Sequence, residues 1–327
     1  MLNITNGKGV NNYMVITDFK GKRIDYINNW PNSEPFEIEK KYYAIVDKIK
    51  QKNGSIFKPF CLVRNDDVIY NKTVSFMIEA LDQLNKYPNF SYEFLFKGYD
   101  CFLDKYYVSN LNITDKNKNL CNNEWKNIID SNGKLKISVE KLLSVIPVKA
   151  CQYLYIRITD HTGDNQPYKR ISTGISGGAS TSSIKIKEIV DAIEGKYGID
   201  YENYANSMRK ASLLYRYILK NDIVIINKTY TIATDDKLNI LVSGFLYTLR
   251  NDIMHGSSIA ITKSSKTTLG TYAIDYYAFL LLYYLLIMLI INCFPSDYST
   301  DVYDRLADNI IENLNTYVEM FGKNIEN

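Results

Sequence analysis

Apolar residues recur along most of this chain at intervals of three and four, the spacing that gathers them on one face of an α-helix. In IEKKYYAIVDKIKQK the stripe is Ile38, Tyr42, Ile45 and Ile49, and Asn53-Gly54 supplies the stop that helices favour. A second helix is expected over 73–86. After Pro88, FSYEFLFKGYDCFLDKYYVSNL sets Phe90, Phe94, Tyr99, Phe102 and Tyr106 on a long helix in which Gly98 is a weak point. Ser138 is placed to cap a helix through Leu143, and further helices are expected over 184–196 and 204–220. Asp235 or Asp236 then caps a helix over 237–255, with Leu241, Phe245, Leu249 and Ile253 along one side and Gly256 at its end. Ser299-Thr300-Asp301 starts a last helix, whose stripe is Ile310, Leu314, Tyr317 and Phe321.

The remaining segments break this rhythm. Residues 1–35 mix Gly, Pro, Asn and Asp and read as an irregular lead-in with a short strand at 13–17. Residues 110–122 (NLNITDKNKNLCN) read as a surface loop, 145–159 fits strand or helix before 160–167 interrupts it, and 223–233 is β-prone. The glycine- and hydroxyl-rich TGISGGASTSS, 173–183, marks the expected internal boundary, between a mostly helical N-terminal region (1–172) and a helical domain (184–327). It lacks the GK[ST] ending and preceding parallel strand of a phosphate-binding loop. The fold class expected is mainly α, a helical bundle with few short strands.

One stretch is apolar on every side. Residues 276–294, YYAFLLLYYLLIMLIINCF, have about the length of a minimal membrane span. Against a span, Asp275 abuts the segment, four tyrosines lie inside it, and no Lys or Arg cluster flanks it to set an orientation. A buried central helix is the expected reading, and a membrane helix the alternative. The beginning of the chain shows no apolar signal region, so the expected compartment is the cytoplasm.

Composition changes the picture little. With 46% hydrophobic and 23% charged residues the chain is neither disordered nor fibrous, and a net charge of +3 is too small to mark a nucleic-acid binder. Five cysteines without CxxC spacing indicate neither a disulfide framework nor a zinc site, and no metal or cofactor is expected.

Only two histidines occur, so each can be weighed. His161 lies in the polar turn ITDHTGDN without further ligands at metal spacing. His255 lies in FLYTLRNDIMHGSS, five residues after Arg250 and four after Asn251. On a helix, the Asn251 amide can reach the imidazole one turn later and fix its tautomer. Arg250 and His255 stand about 140° apart around the axis, so they converge only at a frayed helix end or across a symmetric partner. A guanidinium that grips phosphate and an imidazole that moves protons near neutral pH suit phosphodiester chemistry without a metal.

The Arg250-Asn251-x-x-x-His255 pattern resembles the signature of the HEPN family: an arginine, usually a polar residue, then a histidine four to six positions after the arginine. The resemblance covers about the last 140 residues. It implies an antiparallel helical bundle and a metal-independent endoribonuclease, which dimerises to build a composite Arg/His site and leaves a cyclic phosphate and a 5′-hydroxyl. It further implies a prokaryotic defence, abortive-infection or toxin-antitoxin setting, with RNA as substrate and an antitoxin or regulatory protein as possible partner. Arg250, Asn251 and His255 would be the catalytic residues; Lys263 and Lys266, in the loop that follows, would contact substrate phosphates. The family also contains non-catalytic modules that bind nucleotide or RNA or serve as scaffolds, and that alternative stays open. One toxin branch carries a tyrosine two residues after the histidine, where this chain has Ser257.

Overall fold

The computed structural model describes residues 10–107, 110–159, 165–198, 204–220, 222–254 and 261–326, and they are mainly α-helical. The expected lead-in with a strand at 13–17 is instead helix α1, Val10–Asn28. Gly21 is absorbed into the helix interior, and the real stop comes ahead of Pro31, because a residue before proline is pushed out of helical geometry. Helix α2, Glu37–Asn53, ends as expected: Gly54 adopts φ 78° and its N–H reaches Lys50 O at 2.8 Å. Helix α3, Val68–Leu84, begins earlier than periodicity suggests because Asp67 Oδ1 accepts the amides of Ile69 and Tyr70, both at 2.8 Å.

Helix α4, Pro88–Tyr106, buries Tyr92, Leu95, Phe96, Tyr99, Phe102 and Leu103, a stripe shifted so that Phe90 faces solvent. Gly98 is a crossing point rather than a weak point. A Cβ there would lie 3.1 Å from Phe76 Cβ and 3.3 Å from Thr73 O, so glycine allows α3 and α4 to approach closely.

The surface loop expected at 110–122 is mostly helix α5, Ile113–Asn122, followed by α6, Glu124–Ser131, and α7, Gly133–Ser144. The polarity misleads because these side chains are used internally. Asn112 Oδ1 caps the helix at Asp115 N (3.0 Å), Tyr99 Oη donates to Asn117 Oδ1 (2.6 Å), and buried Lys118 donates to Gly174 O (2.9 Å). Asn132, not Ser138, caps α7, accepting Leu135 N at 2.8 Å, and Ser138 is buried mid-helix.

Residues 145–159 resolve as helix α8, Val148–Thr159, with α9 at Gln166–Ser172. Ser180 caps α10, Thr181–Tyr197, and α11 covers Tyr204–Lys220. The β-prone patch forms an antiparallel hairpin, β1 Ile223–Ile225 with β2 Lys228–Tyr230, turning at Ile226 and Asn227, both at positive φ. The helix expected over 237–255 is a rod in three parts: α12, Thr234–Asn239, a π-helical stretch, Ile240–Leu246, and α13, Tyr247–Met254.

Helix α14, Leu269–Cys293, is the axis of the bundle, and α15, Val302–Phe321, packs beside it. α14 is long and apolar enough to cross a membrane, yet 94% of its most apolar window is buried inside the fold, under α2, α4, α6, α8 and α15. Its tyrosines explain how. Tyr276 Oη donates to Ile56 O (2.7 Å), Tyr277 Oη to Leu143 O (3.5 Å), Tyr283 Oη accepts Phe60 N (2.8 Å), and Tyr284 Oη accepts Asn313 Nδ2 (2.7 Å). Each of these four rings contributes apolar bulk while its hydroxyl finds a protein partner; the Tyr272 hydroxyl, earlier in the helix, is buried without one. Buried apolar side chains from Tyr42 to Ile325, on both sides of the 173–183 segment, form one contiguous cluster.

Candidate active site

The π-helical stretch positions the candidate motif. A π-turn takes more residues than an α-turn and leaves backbone groups in need of partners, and such turns recur at functional sites. Here Arg170 Nε donates to Ser243 O at 3.1 Å, and Tyr92 Oη donates to Leu246 O at 2.6 Å. Arg170 also donates through Nη2 to Thr248 Oγ1 at 2.6 Å and lies 5.2 Å from the Tyr247 ring centre; burial holds its pKa below the usual arginine value. At Gly244 a Cβ would meet Ile171 Cγ2 at 3.0 Å, so a larger residue would push this rod away from α9.

α13 then aims Arg250 at α4. Its guanidinium sits 5.7 Å from the Phe96 ring centre and 6.0 Å from that of Tyr247, and Nη1 donates to Asn251 Oδ1 at 3.1 Å. Nη2 stands 3.9 Å from Asp100 Oδ2, too far for a hydrogen bond, and the side chain keeps 30% of its exposure. The arginine is therefore fixed by rings and an amide, but keeps donors available for an incoming oxyanion. Asp252, next along, is held from the other side by Tyr153 Oη at 2.7 Å and by Arg157, which ties α13 to α8.

Asp100 is the group that sequence reasoning missed. Burial pushes its carboxyl up to about 6 against the opposing pull of Arg250, and its Oδ1 is buried without a hydrogen-bond partner. Its place four residues after Phe96 on an aromatic helix hinted at burial, but its nearness to Arg250 is visible only in the fold. A cavity of about 30 Å³ opens among Tyr92, Phe96, Asp100 and Arg250, room for about one water.

Of the sequence-derived residues, Arg250 and Asn251 are adjacent and in contact, with the Asn251 oxygen engaged by Arg250. His255 and its neighbours Gly256 and Ser257 lie outside the described residues, as does His161. Lys263, expected to meet substrate, has another partner. Its Nζ lies 2.8 and 2.7 Å from the two oxygens of Glu39, which is 1% exposed, and 4.4 and 4.8 Å from the ring centres of Tyr26 and Phe36. This clamp fastens the segment after the motif to α1 and α2. Replacing Lys263 with Met strands a buried carboxylate and is expected to lower stability by about 2 kcal/mol, measured by urea unfolding, a figure reduced from that for a fully buried pair because Lys263 is partly exposed. Lys266 is exposed, its amide donating to Ser264 Oγ at 3.2 Å.

No family model, curated protein or solved structure matches this chain. The resemblance to the HEPN family therefore rests on Arg250, Asn251 and His255 alone.

Proposed function

We propose that this chain is a cytoplasmic, metal-independent endoribonuclease of HEPN type, acting as a homodimer in prokaryotic defence or as the toxin of a toxin-antitoxin pair. The observation that carries the reading is Arg250 itself: a guanidinium fixed over two aromatic rings near the end of α13, five residues ahead of the histidine, with no hydrogen-bonded carboxylate among the described residues.

In this reading Arg250 holds the non-bridging oxygens of the scissile phosphate and stabilises the charge that builds there. His255 mediates the proton transfers: a base takes the proton of the 2′-hydroxyl, the 2′-oxygen attacks phosphorus, and the P–O5′ bond breaks. The departing 5′-oxygen is protonated, leaving a 2′,3′-cyclic phosphate and a 5′-hydroxyl. Asn251, Phe96 and Tyr247 hold the Arg250 fork in place.

The test is incubation of the purified protein with a mixed RNA pool in EDTA, followed by mapping of product ends. Cyclic-phosphate ends are expected. Cleavage that needs an added divalent ion, or products with 5′-phosphates, would count against the proposal.

A further inference from the structure

A second concavity shares no lining residue with the opening beside Arg250. It is a trough of about 1160 Å³ where α7, α11, the start of α12 and the C-terminal end of α15 meet. Five cations line it, from four elements: Lys141, Arg216, Lys220, Lys237 and Lys323. Among the described residues none of the five has a carboxylate within ion-pairing distance, although Lys residues elsewhere on this surface are paired. In the adjoining trough Lys134 meets Asp308 at 2.7 Å and Arg305 meets Asp301 at 3.5 Å.

Two of the five are held in place at a cost. Lys237 is 7% exposed, burial lowers its pKa, and Nζ donates to Lys220 O at 2.7 Å. Nε of Arg216 is buried without a hydrogen-bond partner. Like charges gathered in one concavity, with a buried donor unsatisfied, are relieved by a bound polyanion. Glu140, Asp222 and Glu326 also line the wall, so cations outnumber carboxylates there without excluding them.

We propose that this trough binds a compact ligand carrying two or more phosphate groups. The size is ample for a nucleotide-sized molecule. The lining argues against a nucleic-acid strand: among the described residues no aromatic side chain is present to stack a base, and in the adjoining trough, which shares Lys141, Lys134 and Arg305 are paired with carboxylates. The rod that carries Lys237 leads through the π-helical stretch to Arg250, so a ligand here sits on the element that positions the candidate active site. The binding proposal itself does not depend on the ribonuclease reading.

The experiment is calorimetric titration of the full chain with inorganic tripolyphosphate at low and high salt, with a thermal melt in parallel. Lys220→Ala/Lys323→Ala, Arg216→Gln and Lys134→Ala are compared with the wild type, and a short oligouridine RNA serves as competitor. Expected are salt-sensitive binding, a rise in Tm with ligand, a Kd weakened about tenfold or more in the first two variants, and no change in Lys134→Ala. Absence of binding at millimolar tripolyphosphate, or equal Kd in the double variant and wild type, would overturn the proposal. So would tighter binding of the RNA with the same dependence on Lys220 and Lys323, which would make the trough a nucleic-acid groove.

Discussion

Asp275→Asn is expected to make the protein more stable at neutral pH, by about 4 kcal/mol at pH 7, and the gain is expected to fade as the pH falls toward 4. The carboxyl is 2% exposed in the first turns of α14, and burial pushes its pKa from 3.8 up to about 8. It therefore keeps its proton in the folded state at pH 7, whereas the unfolded chain releases it. The folded state binds the extra proton between the two values, so the wild type loses stability as pH rises from about 4 to about 8, by about 1.4 kcal/mol per unit. Asparagine has no proton to lose, and urea unfolding of both proteins at pH 4.5 and 7.5 reads the difference directly. A variant that is less stable than wild type at pH 7.5 would mean that the Asp275 carboxyl ionises in the fold and has a partner there.

Arg250→Ala and His255→Ala are each expected to lower RNA cleavage by about 10²- to 10⁴-fold, the range for removing a charge-stabilising donor or a general acid/base. Arg250→Ala should leave the protein folded. Arg250 is partly exposed and has no short ion pair among the described residues, so the far-UV signal and Tm of the variant should stay near wild type. If each site pairs Arg250 of one copy with His255 of the other, mixing the two inactive variants creates heterodimers that retain one intact site. Partial recovery of activity on mixing is then expected. Full activity in either variant alone would remove that residue from the chemistry.

Helix content was legible because it depends on local periodicity. The α2 stop at Gly54, the span of α11, the β-prone character after residue 222 and the buried state of α14 all follow from spacing and composition. What failed were inferences from polarity. The segment 110–122 looked like a loop because Asp115, Asn117 and Lys118 are polar, but in the fold all three are buried, and Asn117 and Lys118 are partnered by Tyr99 and Gly174 from other elements. The ion pair of Lys263 was not legible either, because Glu39, its partner, lies more than 200 positions away. The π-helical stretch was illegible because no residue pattern announces the wider turn; it depends on Arg170 and Tyr92 arriving from other helices. At the candidate site, sequence named Arg250 and Asn251, while Asp100 emerged only when α4 was set against α13.

The most direct measurement is cleavage of a defined RNA in EDTA by wild type and by His255→Ala, purified side by side, with the product ends identified. The account predicts 2′,3′-cyclic phosphate and 5′-hydroxyl ends from the wild type and no product from the variant. Equal cleavage by both proteins, or no cleavage by a folded, dimeric wild type on any RNA supplied, would contradict it and favour a module that binds without cutting.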